Sequence, residues 1–480
     1  MRFWAKIWAT AGWLALTGCT VIREAHEAQE RLSPKGADDA AQQELPKALL
    51  AEQHSLRNLV EFAMTNRPSV VSAALAVEDA RLTLKALAAD APVLSDTPWT
   101  APKLSLAGGH SEASDAVHPV DELRASTRGN ASASLSLDLL IWDWGRYGAE
   151  AREGAEKVLA AEQNLIDVGY TVFYEVASAY FTFLEREALL EVAKTNEFDF
   201  AEHLRQVQQK RQAGEAQELD VLQGQLDYSR ACEQTVAAQR EVMTARAEML
   251  RVLGLDAAHY SGERVIASRP DALTTAVSEF PLTTYDAREA FEFARTNAPA
   301  IRLARAKLRA ASAHVDYAVA ELMPEVSASV SLNWTDPLWL WRWGLNGVQS
   351  LFIGFRKTTA VERAVVAMES AAAAVDATEQ LISCDLELAI AERDNAQEAR
   401  ATAQTSVRQA RRNLETVSKR YRLGEADRVD FADAMKIQVG SLGNLVSAFY
   451  RRQRAEAAIF SLIGTLPEYR ESVDKLEVGE

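Results

Sequence analysis

The chain has 480 residues, a formal net charge of −16 and 25% charged residues. That is enough for two to four ordinary domains with most of the surface in water. The acidic balance argues against a nucleic-acid binder. After the first twenty positions there is no apolar run of 18 residues, so no helix is expected to span a bilayer.

The first residues carry a targeting pattern. Arg2 and Lys6 give a positive start, and Ile7 to Leu16 is a short apolar stretch. It ends Leu16-Thr17-Gly18-Cys19, which resembles the lipobox of bacterial lipoproteins. Residues 1–18 therefore read as a signal peptide and Cys19 as the lipidation site. More than one acyl chain, palmitate among them, gives stable anchoring. Thr20 stands where an Asp would mark inner-membrane retention, so the outer membrane is preferred. The competing reading is an ordinary secretory signal with a chance Cys. No cofactor is expected beyond this covalent lipid. Residues 19–54 form a tether and lead-in. Cys232 and Cys384 lack neighbours at metal spacing and read as small buried residues, with a disulfide between them left open.

The remainder repeats itself. Gly214-Glu215-Ala216 matches Gly424-Glu425-Ala426 at an offset of 210. Asp220 matches Asp430, Leu253-Gly254 matches Ile463-Gly464, and Arg146 matches Arg356 at the same offset. Asn66-Arg67-Pro68 matches Asn297-Ala298-Pro299 at 231, so the first copy holds 21 extra residues before Arg146. The repeats span 55–254 and 285–465, with a linker at 255–284 and a tail at 466–480. Each copy opens with one helix, about 55–89 or 285–322. Two strands follow, near 103–109 and 131–141 or 326–334 and 348–353. A long helix then covers about 147–213 or 357–423, and a last helix about 218–253 or 428–463. No Pro lies between Pro119 and Pro270 or between Pro337 and Pro467, as helix interiors require. A helix near 70 residues long would reach about 100 Å and implies a coiled-coil assembly. Val158, Leu165, Val172, Val176, Tyr180 and Phe183 form its packing stripe.

The strands alternate with period two. Val326, Ala328, Val330, Leu332 and Trp334 interleave with Ser327, Ser329, Ser331 and Asn333, and Leu135, Leu137 and Leu139 do so with Ser134, Ser136 and Asp138. Past the signal peptide, every Trp lies in or beside these segments. Trp142, Trp144, Trp334, Trp339, Trp341 and Trp343 read as membrane-interface anchors. Four strands cannot close a barrel, so chains must assemble. The sequence itself does not choose between two copies and three.

These features resemble the TolC-like outer-membrane efflux family. Its pattern has Asn-Pro near the start of each repeat, a strand ending like Leu-Phe-Asp-Gly-Gly-Arg, and a turn Gly followed six residues later by Asp-Val. Here these are Asn66/Pro68 and Asn297/Pro299, Ile141–Arg146 and Leu351–Arg356, and Gly214…Asp220-Val221 with Gly424…Asp430-Phe431. The resemblance implies a mainly α fold with a membrane β-barrel: a coiled-coil helical barrel plus four strands per chain, twelve strands in a homotrimer. It implies an outer-membrane exit duct of a tripartite efflux or export system of a Gram-negative bacterium, passing small molecules or ions. The partners would be a periplasmic adaptor and an inner-membrane transporter, with residues 255–284 around the middle of the duct. The adaptor-facing tips would be Gly214, Glu215, Gly424 and Glu425. The two Glu depart from the family's small or apolar residues and suggest an adaptor with basic residues.

No catalytic set is visible, and the seven His are scattered without ligand spacing. An enzyme is not expected, and no metal site. Asp430 and Asp433, three apart on one helix face, are the candidate periplasmic gate, where carboxylate rings would favour cations. Asp430 could equally cap a helix N-terminus. The alternative for the whole chain is a lipid-anchored periplasmic coiled-coil scaffold without a pore. It accounts for the helices but not for the amphipathic strands and their Trp residues.

Overall fold

Proline placement and hydrophobic period decide the element order. The chain runs α1 (Leu56–Asn66), α2 (Pro68–Leu87), β1 (Lys103–Ala113), β2 (Arg128–Trp142), α3 (Arg146–Gln212), α4 (Glu218–Val252), α5 (Ala287–Asn297), α6 (Pro299–Ala320), β3 (Glu325–Thr335), β4 (Leu338–Val348), α7 (Arg356–Arg422) and α8 (Arg428–Ile463). The computed structural model describes residues 56–87, 103–113, 128–214, 216–255, 286–335, 338–348, 356–423 and 425–465. The signal segment with Cys19, the tether, the linker beyond Leu255, the tail from 466, and the tip residues Glu215 and Gly424 lie outside the described residues.

The long helices α3 and α7 have 67 residues each, about 100 Å at about 1.5 Å per residue. Each pairs with the helix that follows it, α4 or α8, and α3 also packs on α6 and α8 to join the repeats. Of the expected stripe on α3, Leu165, Val172, Val176, Tyr180 and Phe183 are buried, and Val158 is half-buried. The seam of α7 is narrower. It buries Ile382, Leu386 and Ile390, then mainly Ala396, Ala403 and Ala410. Alanines at seven-residue spacing allow close approach of α8 while leaving most of the circumference polar.

The first helix of each repeat, expected as one piece, is two. The breaks fall at Arg67 and Ala298, each directly before a Pro that starts the next helix. The pyrrolidine ring disfavours helical geometry in the residue before it and supplies no N–H, so Pro starts a helix more readily than it continues one. Each break is a docking point for the end of its own repeat. A Cβ on Gly464 would come 2.8 Å from the Asn297 carbonyl oxygen and 2.9 Å from Pro299 Cδ. A Cβ on Gly254 would come 3.5 Å from Arg67 Cα and 3.6 Å from the Asn66 oxygen. Both glycines have positive φ, +75° and +79°. Around the second break Ala298, Ile301, Ile459 and Ile463 are almost fully buried.

The four strands form one antiparallel sheet in the order β1-β2-β3-β4. Two differences from expectation appear. β1 continues through Gly108-Gly109-His110. The fourth strand is not 348–353 but Leu338–Val348, pairing from Thr335↔Leu338 onward. Its first half alternates Leu with Trp and so shows no polar face, which hid it as a strand. The register aligns like with like. Leu104, Leu137, Val330 and Trp343 stand in one row, and Leu106, Leu135, Leu332 and Trp341 in the next. The opposite face carries the rows Ser105, Ser136, Ser331, Arg342 and Lys103, Asp138, Ser329, Gly344. On it the Asn346 amide donates to the Ser329 hydroxyl at 2.9 Å. A one-residue slip would exchange the two faces.

The sheet meets α3 through a strained corner. Trp144 has φ 58° and Gly145 φ 83°. Buried Asp143 accepts hydrogen bonds from the Gly145 and Tyr147 N–H groups at 3.1 and 2.6 Å, capping the helix start. A bulky residue in the left-handed region costs about 1–2 kcal/mol. The cysteines are both free: Cys232 is half-buried, but Cys384, expected to be buried, is exposed on α7.

The repeat closures differ in tightness, and this is testable. Gly464→Ala should cost about 2 kcal/mol or more, combining a steric clash with a left-handed φ, and Gly254→Ala about 1 kcal/mol from φ alone. Thermal unfolding of the two variants should rank them in that order.

Candidate functional site

The two helical turns resemble each other in construction. At the first, the Ala213 and Gly214 N–H groups donate to the carbonyls of Gln209 and Arg211 at 3.1 and 2.9 Å. Nothing lies within 4 Å of a Cβ built on Gly214. Its φ of +81° is what requires glycine there. α4 then starts with a capping box, the Gln217 N–H donating to the Asp220 carboxylate at 3.0 Å. At the second turn the exposed Glu425 donates its N–H to the Arg420 carbonyl at 2.9 Å, and the Arg420 guanidinium reaches the Glu425 carbonyl at 3.4 Å. Lys419 and Arg422 also lie on this last turn of α7.

Asp430 takes the same place as Asp220. Its carboxylate accepts from the Asp427 N–H at 3.4 Å, while the Asp427 side chain accepts from the Arg428 N–H at 2.6 Å. Both are exposed on the first turn of α8, and Asp430 serves the capping box. Asp433 is exposed, with Lys436 Nζ 3.9 Å away.

The strongest feature of the tip was not read from the sequence. Arg428 reaches across from α8 to α4. Its Nη1 is 3.0 Å from Asp227 Oδ2, its Nη2 donates to Gln223 Oε1, and both ends of the ion pair are buried. Lys436 adds a contact to Asp227 at 3.5 Å. Gln223 is the first-copy residue that stands where the second has Asp433. Beside this pair His203, Tyr421 and Phe431 stack together, with ring centroids 4.8 to 5.6 Å apart. Phe200, Ala231, Ala432 and Met435 pack as the adjoining apolar cluster. Burial, followed by the Arg428 charge, pushes the His203 pKa down to about 4, with Asp227 opposing. No spacing signal could have found this site, because its members come from two helix pairs that lie about 200 residues apart in the chain.

At the sheet, Trp142, Trp144, Trp339, Trp341 and Trp343 are exposed. Trp334 and Trp339 are cross-strand partners near the connection of β3 and β4. Trp142 and Trp144 meet edge-on at the α3 end, 6.2 Å apart. Trp341 and Trp343 sit between these levels on the apolar face. Arg146 pairs with Glu325 at 3.1 Å, tying the start of α3 to β3. Among the described residues no group of three or more His, Cys, Asp or Glu could hold a metal ion, and no helix is long and apolar enough to cross a membrane.

The cross-repeat pair yields a stability test. Arg428→Met leaves Asp227 buried with Lys436 as its nearest cation, and should cost about 3 kcal/mol, the low end for a broken buried pair. Adding Asp227→Leu should recover most of the loss in chemical denaturation.

Against known proteins, the family described as outer membrane efflux protein matches residues 59–255 and 291–465, one block in each repeat. The pyoverdine export outer membrane protein OpmQ of Pseudomonas aeruginosa is 30% identical over 288 residues, covering 58% of this chain and 56% of that one. The solvent efflux pump outer membrane protein SrpC of Pseudomonas putida is 25% identical over 290 residues, covering 60% and 57%. The alignments thus span little more than half the length of these relatives. The crystal structure of the Campylobacter jejuni CmeC outer membrane channel superposes with a TM-score of 0.73 at 16% identity, covering 90% of this chain and 95% of that one. With both repeats matched and the fold shared, the chain belongs to the outer membrane efflux protein family, whose members are channels of the outer membrane rather than enzymes.

Proposed function

We propose that three copies of this chain close a twelve-stranded outer-membrane barrel, and that α3, α4, α7 and α8 of each form a duct reaching into the periplasm. The observation that carries this reading is the register of the sheet. One face carries rows of Leu, Val and Trp that end in exposed Trp339, Trp341, Trp343 and Leu345, the other carries mainly Ser and Asn with Lys103, Asp138 and Arg342, and β1 and β4 are open edges. An apolar exterior with a polar interior is the pattern of a membrane barrel, and lipid tolerates no open edge. Lipid on Cys19 would add an anchor.

In this reading the tips at Gly214 and Glu425, with Glu215 and Gly424, meet a periplasmic adaptor that connects to an inner-membrane transporter. The relatives named for pyoverdine export and solvent efflux favour small-molecule cargo. Asp433 and Asp430 would each give a ring of three carboxylates at the periplasmic end. Asp433, which is not bound to backbone, would carry more of the cation preference.

Purified protein should run as a heat-modifiable trimer and conduct in planar bilayers; absence of conductance would sink the duct. Asp433→Asn should reduce cation preference, read as a shifted reversal potential under a salt gradient. Asp430→Asn should do so less and keeps an acceptor for the Asp427 N–H, whereas Asp430→Ala should destabilise α8 by about 1 kcal/mol through the lost cap. Cys19→Ser should abolish incorporation of labelled palmitate.

A further inference from the structure

The contact between the two repeats has a titratable group at its centre. His203 on α3 is 2% exposed, and among the described residues neither of its ring nitrogens has a hydrogen-bond partner. Rings close it in from two sides, Phe431 of α8 at 4.8 Å and Tyr421 of α7 at 5.6 Å. Charged groups face it from the helices around it. Lys210 lies on α3 itself, Asp227 on α4 and Arg428 on α8, while the ionisable Tyr421 comes from α7. Asp227 is already engaged by Arg428 and Lys436, and Lys210 lies over the Tyr421 ring at 4.2 Å. The imidazole therefore meets two cations and one carboxylate that is already compensated. The neutral ring fits this cage. The imidazolium does not, since it brings a buried charge and a second N–H with no acceptor.

We propose that His203 is an acid-operated release for the tip: protonation of its ring separates the α3–α4 pair from the α7–α8 pair and opens the periplasmic end. The release rests on the channel reading above for its consequence, but not for its chemistry. In the closed cage the ring titrates near pH 4; once the cage parts it regains its ordinary value of 6.5. Between these values the open form binds more protons, so acid favours opening and neutral pH favours closure. At tenfold per pKa unit, the ratio of open to closed rises on the order of a hundredfold from pH 7 to pH 4. The Arg428–Asp227 contact, which spans the same boundary, is the linkage that yields.

The test uses the full chain in detergent and in bilayers, as wild type, His203→Phe and His203→Gln. Phe fills the cage without titrating; Gln keeps polarity without titrating. Amide hydrogen exchange, corrected for its intrinsic pH dependence, is followed at residues 425–435 and at the 382–390 core between pH 7 and pH 4.5. Expected is faster exchange at 425–435 in acid, with the 382–390 core unchanged, in wild type only. A flat wild-type profile overturns the release, as does the same acid response in whichever variant folds by circular dichroism. Conductance separates the two readings. Acid-dependent exchange with no conductance at any pH leaves the release standing and removes the duct. Conductance that is indifferent to acid, in protein whose tip exchange is equally indifferent, removes the release and leaves the duct.

Discussion

A strand in hydrocarbon must give every N–H and C=O a partner, and in the proposed barrel this constraint would govern the rest of the molecule. The sheet satisfies it internally between β1 and β2, β2 and β3, and β3 and β4. At the outer edges of β1 and β4 the proposed assembly would pass the requirement to another copy. The chain accordingly provides two hairpins in register, because a single hairpin would have one pairing and two edges. Duplication of the whole unit is the simplest way to obtain them, and it explains why helices of equal length follow both hairpins. The long helices start at Arg146 and Arg356 and are joined through α6 and α8, each of which packs on both.

The repeats close by a second shared device. In each, a proline interrupts the first helix and a left-handed glycine at the end of the last helix lies against the gap. At each break the Asn66 or Asn297 carbonyl oxygen lies against the glycine, because proline ends the preceding helix there. The small end of the last helix fits because glycine has no Cβ. Neither motif would be useful alone, which accounts for their joint recurrence at both Gly254 and Gly464. Tyr170 adds to the second closure only, its hydroxyl donating to the Gly464 carbonyl at 2.8 Å. The second closure also carries an apolar cluster running from Ala290 to Ile463.

Local rules were legible and distant ones were not. Helix ends at Gln212 and Arg422 lie within one residue of the sequence pattern, since proline exclusion and glycine turns act over a few residues. The faces of β2 and β3 were readable because Ser alternates with Leu or Val. β4 was missed because Leu338, Trp339, Leu340 and Trp341 are apolar on both faces. The helix breaks are hidden in the sequence, although Pro68 and Pro299 stand in a repeated motif. Asp430 was legible as an acidic residue after a turn, while its bond to the Asp427 N–H needed backbone geometry. His203, Gln223, Asp227 and Arg428 are polar residues on helices that look solvated when read singly. Only the antiparallel folding of two helix pairs onto each other makes them a buried group.

The polar side of the sheet has one further consequence. Its rows are built largely from Ser, Gly and Asn, with Arg342, Lys103 and Asp138 as the charges near mid-height. In the proposed barrel, short side chains would keep the wall thin and leave nearly all of the enclosed cross-section to water. Such a wide, weakly charged bore would offer little resistance and little discrimination. Sorting of cargo would then fall some 100 Å along the helices, at the end that carries the buried Arg428–Asp227 pair and exposed carboxylates. The outer opening would act as a spillway, and the decision about what passes would belong to the inner end.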